Sequence, residues 1–301
     1  MIDEIVAVNR FAENPIVTPD SDDRIGDNIN GPSLIRVPDW LPGALGKYYL
    51  YFAHHKDSFI RLAYADDLKG PWRVHTPGVM STDESGFTGH IASPDVHIDE
   101  ERRRLVMYFH GAPAVYETGQ ASAVAVSRDG ISFTRIGGLI GRPYFRVFRR
   151  DEWYYAIAIP GWLYRSRDGL TGFEKGPLLF DEATRHFAVL DLGDALDVFY
   201  SVRGDEPERI LVSRIEGGPD WTAWRAEKPR LVLEPETEYE GADLPVEPSA
   251  KGRARGRVRQ LRDPCIYREH GRVYLLYSIA GESGIAIAEI VYGVPKTEAR
   301  I

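Results

Sequence analysis

The amino-acid sequence predicts an all-β protein, a five-bladed β-propeller whose four-stranded antiparallel blades surround a central channel. Three observations lead to this prediction. The turn Ser-Arg-Asp-Gly occurs at 127–130 and again at 166–169, about 40 residues apart, which is the length of a propeller blade. Short runs of Val, Ile, Leu, Tyr and Phe have strand composition, and long stretches of helical period are absent. The 29 glycines and 20 prolines provide for many turns.

Five copies of one unit follow each other along the chain. Each copy has a strand, a turn, a strand rich in aromatic residues, a third strand, and a second turn that leads to a short fourth strand. Because one blade cannot bury both of its faces, the copies are expected to stack around one axis as a single domain over residues 1–301. The first strands of the copies begin near Pro32, Pro94, Tyr144, Phe187 and Pro264.

The fifth copy lacks an evident fourth strand, because little of the chain follows the run IAIAEI at 285–290. The run EIVAV at residues 4–8 can supply this strand, which would close the ring and remove two exposed sheet edges. Two longer connections, residues 77–90 and 234–260, interrupt the even spacing. Each joins an outer strand to the next inner strand, so both are expected beside the mouth of the channel, where long loops are usually functional.

Charge and cysteine content restrict the function classes. The net charge of −8 argues against nucleic acid as a partner, because phosphate binding needs a positive surface. The single cysteine, Cys265, excludes an internal disulfide. The first residues lack the features of a signal peptide, and no apolar run approaches membrane-spanning length. We therefore expect a cytoplasmic protein without a membrane partner, or a periplasmic or secreted one if an export signal was trimmed; its oligomeric state is left open.

Polar and charged side chains recur where the inner strands begin, and these starts converge on the axis. Such a funnel of carboxylates, histidines and arginines suits a polyhydroxylated ligand. The residues predicted to be catalytic are Asp95, His186 and Asp263 at the starts of three inner strands, and Glu240 in the long loop above them. The residues predicted to bind substrate are Asn30, His54, His55, His90, His110, Tyr144, Arg146, Arg203, Arg262 and Glu282.

Several of these residues also have a purely structural interpretation. Asp95 could cap a turn, Asp263 could pair with Arg262, and Glu240 could be solvated among neighbouring acids. Glu282 could hold its loop through backbone N–H groups. The arginines could bind a carboxylate or sulfate on a sugar, or join neighbouring blades.

The chain resembles the five-bladed propeller glycosidases of families 43, 32 and 117. The resemblance rests on five blades, NPIV ahead of the first inner strand, Asp-Pro at the start of the last one, and second strands such as GKYYLYF. As architecture it covers nearly the whole chain. The phrases NINGPSLIRVP, YEGADLP and AGESGIAIAEI are also similar to a group of uncharacterised bacterial proteins related to these families.

The resemblance implies glycoside hydrolysis, in which two carboxyl groups normally flank the scissile bond. Family 43 enzymes carry an Asp on the first inner strand, an Asp on the second and a Glu at the start of the third. Here only Asp95 matches, because Asn30 and Arg142 occupy the other two regions. Family 117 enzymes use a His as proton donor, which makes His186 relevant. We expect a glycoside hydrolase that acts on a short oligosaccharide, acidic or containing an anhydro-sugar, by carboxylate and histidine acid–base catalysis.

Three alternatives stay open at this stage. A non-catalytic carbohydrate-binding propeller would explain the missing Asp and Glu. A glycoside phosphorylase would need a phosphate cradle of His and Arg, which this funnel could supply. A sialidase-like propeller is suggested by the Ser-Arg-Asp-Gly turns, although they lack the Trp of the Asp-box. No cofactor is expected to be required; a structural cation in the central channel is compatible with the sequence, and no ligand spacing marks a metal site.

Overall fold

The computed structural model describes residues 4–54, 59–114 and 119–293, and these form five antiparallel sheets of four strands around a common axis. The predicted five-bladed propeller is therefore confirmed. Helical structure is limited to α1 (Thr82–Ser85) and three single 3-10 turns in the described part of the chain. No helix within it is long and apolar enough to cross a membrane.

The strands follow the chain blade by blade, after a first strand β1 (Glu4–Arg10) that belongs to the last blade. Blade one has β2 (Asn30–Arg36), β3 (Tyr48–Ala53), β4 (Phe59–Ala65) and β5 (Arg73–Ser81). Blade two has β6 (Thr88–Asp99), β7 (Arg104–Ala112), β8 (Ala121–Ser127) and β9 (Thr134–Gly141). Blade three has β10 (Arg146–Arg150), β11 (Trp153–Ala158), β12 (Trp162–Ser166) and β13 (Glu174–Leu178). Blade four has β14 (Thr184–Asp191), β15 (Ala195–Val202), β16 (Ile210–Glu216) and β17 (Arg230–Leu233), and blade five has β18 (Arg262–Glu269), β19 (Arg272–Ser278) and β20 (Ile285–Gly293).

β1 supplies the fourth strand of blade five, as the sequence predicted. It pairs antiparallel with β20, from Glu4 opposite Gly293 to Arg10 opposite Ala288. The Asn14 side chain continues the pairing, because it donates to the carbonyl of Ile287 at 2.8 Å and accepts from the same residue's N–H at 2.9 Å. The N-terminal segment thus covers the edge of β20 and closes the ring.

The apolar core lies between the blades. Neighbouring sheets pack face to face, and this packing buries both faces of each sheet. All six residues of β3 are buried, although the strand carries three tyrosines. Leu62 of blade one packs in one cluster with Met107 and Phe109 of blade two. Phe199 of blade four and Leu275 of blade five belong to another cluster. Such contacts hold the blades in a ring and bring the starts of their inner strands together.

The repeated Ser-Arg-Asp-Gly turn joins the third and fourth strands of blades two and three, which is the predicted position. Ser127 Oγ accepts from the N–H of Gly130 at 2.8 Å, which closes the turn in blade two. The hydroxyl of Tyr51, in blade one, donates to the carbonyl of Gly130 at 2.9 Å. The hydroxyl of Tyr108, in blade two, donates in the same way to Gly169 at 2.7 Å. Each copy of the turn is therefore attached to the blade before it.

We expect Gly130→Ala to destabilise the protein more than Gly137→Ala. Both glycines have a positive φ, +74° and +64°, which costs an L-residue about 1–2 kcal/mol. A Cβ at Gly130 would also lie 2.9 Å from the Tyr49 ring, whereas a Cβ at Gly137 would have no described atom within 4 Å. The expected loss of unfolding free energy in urea is about 1 kcal/mol for Gly137→Ala and about 2–4 kcal/mol for Gly130→Ala. Equal losses would contradict a packing role for the turn.

Candidate active site

The inner strands share one backbone feature where they begin. Gly31, Ser93, His186 and Asp263 have the left-handed conformation, with φ of +61°, +52°, +59° and +49°. At each of them the pairing with the second strand shifts by one residue, which is a β-bulge. Tyr144, just before β10, has φ of +67°. A bulge re-aims a side chain, and four non-glycine residues in this strained conformation are the kind of feature that clusters at functional sites.

The left-handed residues at the inner-strand starts of blades two to five line one cavity at the mouth of the channel. Its volume is about 430 Å³. Ser93, Tyr144, His186 and Asp263 are all buried residues of its wall. The long connection 234–260 contributes Lys251 and Gly252, so this part of the connection lies beside the mouth as predicted. The remaining polar residues of the wall are His90, His110, Gln120, Glu182, Thr184, Arg185 and Arg203.

Asp263 is the centre of a cluster of three titratable side chains from three blades. Its Oδ1 accepts from the Tyr144 hydroxyl at 2.8 Å and lies 3.7 Å from His186 Nε2, and its Oδ2 accepts from Ser278 at 3.2 Å. Burial and the Asp263 charge raise the pKa of Tyr144 well above its ordinary value, so the hydroxyl stays protonated. The carboxylate thus accepts hydrogen bonds from two neutral hydroxyl groups. It is also close enough to the His186 ring to stabilise the ring's positive charge when the ring is protonated.

Aromatic rings extend this cluster across the cavity. The Tyr144 ring centroid lies 5.3 Å from that of His186 and 6.1 Å from that of His110. His90 stands edge-on to His110 at 6.1 Å and is 3.1 Å from the amide nitrogen of Gln120. A tyrosine between histidines offers both a flat surface for a sugar ring and nitrogen atoms that exchange protons.

A buried ion network supports the cavity wall, and its central residue, Glu208, was missed in the sequence analysis. Glu208 is fully buried. It accepts from Nε and Nη2 of Arg185 at 2.8 and 2.6 Å, and its Oε2 lies 2.9 Å from Arg262 Nε. The hydroxyl of Ser201 donates to its Oε1 at 2.7 Å. Glu208 lies two residues before the third strand of its blade, away from the inner-strand starts, and its one local signal in the sequence is an acid close to the buried run of β16.

Three predicted substrate-binding residues belong to this network and not to the cavity wall. Arg262 Nη1 donates to Glu282 Oε1 at 2.9 Å. Asn28 donates to the other oxygen of Glu282 at 2.6 Å and accepts from Asn30 at 2.7 Å. Arg262 therefore faces two carboxylates, Glu208 and Glu282. The network connects blades one, four and five behind the cavity.

Asp95 lies further along its inner strand, and the structure corrects its expected position at the mouth. Its Oδ2 accepts from the N–H of Val147 at 2.7 Å and lies 3.0 Å from His97 Nε2. His97 lines a separate cavity at the far ends of the inner strands β2, β6 and β18. Burial raises the pKa of Asp95, but His97, Arg146 and the Val147 N–H outweigh it, so the pKa lies below its ordinary value. Asp95 is two residues past Ser93, and a strand advances about 3.3 Å per residue away from the mouth.

Glu240 is also outside the wall of this cavity, which corrects its expected place above Asp263. It is fully buried, and its carboxylate accepts from Arg10 Nε at 2.8 Å and Nη2 at 3.1 Å. The Tyr277 hydroxyl donates to it at 2.8 Å. Closure of the ring brings Arg10 to this position, so Glu240 anchors the long connection to β1.

The remaining predicted residues are placed as follows. Arg203 lines the cavity. Arg146 is buried on the axis, where it donates to the carbonyls of Ser93 and Pro94 and its guanidinium lies 4.3 Å from the Tyr144 ring centroid. His54 Nε2 lies 3.6 Å from Asp27 and is not part of the cavity wall, and His55 lies outside the described residues. No three His, Cys, Asp or Glu side chains come together as a metal-binding group in the described ranges, and a channel cation stays a prediction.

Several solved structures with the same fold are described as glycoside hydrolases. A candidate glycoside hydrolase from Parabacteroides distasonis aligns with a TM-score of 0.70 and 11% identity, covering 96% of this chain and 97% of that one. An α-L-arabinofuranosidase from Lactobacillus brevis aligns with a TM-score of 0.62 and 13% identity, covering 92% of each chain. A thermostable family-43 glycoside hydrolase aligns with a TM-score of 0.60 and 14% identity, covering 90% and 91%. The protein thus has the five-bladed propeller fold of the family 43 glycoside hydrolases.

One curated relative is similar in sequence as well. Uncharacterized protein R118 of Acanthamoeba polyphaga mimivirus is 37% identical over an alignment of 324 positions, which covers 94% of this chain and 90% of that protein. The chain belongs to the same family as this viral protein. No protein-family model matches the chain.

We expect Asp95→Asn to reduce stability in a pH-dependent way. Because the folded-state pKa is lowered, the carboxylate contributes stability above the unfolded pKa of about 3.9, and this is lost as pH falls through the folded pKa. The variant should lose about 1–3 kcal/mol of unfolding free energy at pH 7, with a smaller deficit below about pH 4. Urea unfolding at both pH values measures this, with the exposed Asp83→Asn as control. A deficit that does not shrink in acid would contradict the assignment.

Proposed function

We propose that the protein is a glycoside hydrolase that acts at the axial cavity on the end of a short oligosaccharide. The observation that supports this proposal is the Tyr144–Asp263–His186 cluster, in which three blades each place a strained, titratable residue at one point. The cavity volume of about 430 Å³ is within the range of small-ligand sites, which is about 300–1,000 Å³. The fold shared with glycoside hydrolases is consistent with the same chemistry.

The proposed reaction is the addition of one water molecule across a glycosidic bond. His186 Nε2 gives a proton to the leaving oxygen as the bond from the anomeric carbon to that oxygen breaks. Asp263, 3.7 Å away, stabilises the imidazolium before this transfer. His110 or His90, on blade two, takes a proton from the attacking water, and solvent then restores both protonation states. The products are a sugar with a free anomeric hydroxyl group and the leaving alcohol, which is the rest of the oligosaccharide.

Histidine is included because the cavity is poor in carboxylates. Glycosidases normally use two carboxyl groups about 5–5.5 Å or 6.5–9.5 Å apart. Asp263 is the one buried carboxylate among the described residues of this wall, while Glu182 is exposed at its rim. Glu208 and Glu282 lie outside the wall, where Glu208 pairs with Arg185 and Arg262 and Glu282 pairs with Arg262. Acid–base catalysis by one carboxylate and histidines therefore fits this cavity better than catalysis by two carboxylates.

The rim supports an acidic substrate. Arg203 and Lys251 both line the cavity, and a guanidinium or ammonium group there would bind a carboxylate or sulfate on a sugar. The Tyr144 ring with its neighbouring histidines would hold the ring of the terminal sugar. Structural neighbours have been solved with xylotriose and with arabinohexaose, which supports an oligosaccharide as the ligand.

A non-catalytic carbohydrate-binding propeller is the second candidate. The presence of a single buried carboxylate in the described wall favours it, because binding needs no acid–base pair. A glycoside phosphorylase would use the same rim cations to hold phosphate as the attacking group. These candidates differ in whether a bond is broken and in whether phosphate is consumed.

The test is a hydrolysis screen over acidic, anhydro-sugar and neutral oligosaccharides, with and without phosphate. We expect cleavage without phosphate, and we expect Asp263→Asn and His186→Gln each to lower kcat about 10²- to 10⁴-fold. The matched control is His75→Gln, because His75 lies on β5 at the outer edge of blade one and does not line the cavity.

The outcomes separate the candidates. Full activity of both site variants would remove the cluster from the mechanism. Sugar binding by calorimetry without any cleavage would favour the binding propeller, and cleavage that requires phosphate would favour the phosphorylase.

A further inference from the structure

We propose that Ser201 and Glu208 set the tautomer of His186, so that Nδ1 keeps its proton and Nε2 is the nitrogen that gains and loses one. In this role both are positioning residues, which act through His186. The catalytic consequence rests on the proposed function, but the tautomer can be measured without any substrate.

The first step is the direction of the hydrogen bonds from His186 to Glu208. His186 Nδ1 lies 3.2 Å from Ser201 Oγ, and Ser201 Oγ lies 2.7 Å from Glu208 Oε1. A serine hydroxyl has one proton to donate, and an ionised carboxylate can only accept. The Ser201 proton therefore goes to Glu208, and Ser201 can only accept from the ring. His186 Nδ1 must then carry a proton.

The second step is that Glu208 cannot readily reverse this direction. Its carboxylate is fully buried and accepts two hydrogen bonds from Arg185, with Arg262 Nε 2.9 Å from the same group. A guanidinium group can only donate, so the carboxylate oxygens of Glu208 act as acceptors toward both arginines. Ser201 is also fully buried, so its hydroxyl has this partner at fixed geometry.

The third step concerns the other side of the ring. Asp263 already accepts from Tyr144 and Ser278, and its Oδ1 is 3.7 Å from His186 Nε2, which is longer than a hydrogen bond. Electrostatics alone would favour a proton on Nε2, toward the carboxylate. Ser201 and Glu208 oppose this in the neutral ring. When the ring takes up a second proton, that proton sits on Nε2, where a ligand oxygen in the cavity can receive it.

The test is a two-dimensional ¹H–¹⁵N spectrum of the histidine ring nitrogens in the full chain, at a pH where the rings are neutral. The chain has eight histidines, so His186→Gln assigns the signal by its loss. We expect a protonated Nδ1 and an unprotonated Nε2 in the wild type. Ser201→Ala should move the equilibrium toward the Nε2-protonated form.

Ser213→Ala is the matched control. Ser213 is a buried serine on the neighbouring strand β16, and it bonds to the Tyr200 hydroxyl at 2.9 Å instead of to His186. The control should leave the His186 tautomer unchanged. Circular dichroism and urea unfolding show whether each variant is folded.

A neutral His186 protonated at Nε2 in the wild type would overturn the inference, whatever the variants do. An unchanged tautomer in folded Ser201→Ala would overturn the role of Ser201. Once a substrate is known, Ser201→Ala should lower kcat at least about tenfold with little change in KM. It should also shift the pH profile of kcat, because the neutral His186 ring would then carry its proton on the other nitrogen. Asp263 and Tyr144 on one side of the ring, and Glu208 with Arg185 on the other, would interact with that changed tautomer. If the expected tautomer is found but no glycoside is cleaved, the proposed function fails and the tautomer inference stands.

Discussion

The pairing of β1 with β20 is the interaction on which the rest of the structure depends. It closes the ring, so that the inner strands of all five blades stay gathered around one axis. Arg10, the last residue of β1, also binds the buried carboxylate of Glu240. The same pairing therefore anchors the connection 234–260, whose Lys251 and Gly252 form part of the cavity wall. Without closure, neither the convergence of the strands nor this wall would be held.

A β-bulge that is repeated at the inner-strand starts around the axis creates the candidate site. A single extra residue at the start of an inner strand turns one side chain out of the strand's alternation, and blades two, four and five use it for Ser93, His186 and Asp263. Blade one has Gly31 at this position, where a Cβ would lie 3.2 Å from the Ser93 backbone. The strain of the left-handed residues is tolerated because the strands on both sides of each bulge remain paired.

A buried network of arginines and glutamates lies behind the cavity, while Asp263 is the buried carboxylate in the described part of its wall. Glu208 pairs with Arg185 of its own blade and with Arg262 of blade five, and Arg262 also pairs with Glu282. Buried ion pairs contribute little net stability but define one arrangement strongly, because a partner left alone would be costly. Asp263 contacts Tyr144, Ser278 and His186 in the cavity wall. Its carboxylate therefore lies close to a ring nitrogen that can take up a proton.

The sequence by itself determined the five units, the two Ser-Arg-Asp-Gly turns and the closing strand, because strand alternation and turn chemistry are local properties of neighbouring residues. It also predicted that Asp263, His186 and Tyr144 lie at inner-strand starts. Only the tertiary structure decided which side chains meet: Asp95 contacts His97, Glu240 binds Arg10, and Glu208 enters from the connection before β16. A strand has a side-chain period of two, so one bulge residue changes which side chain faces the axis, and bulges and long-range ion pairs leave no periodic signal in the chain.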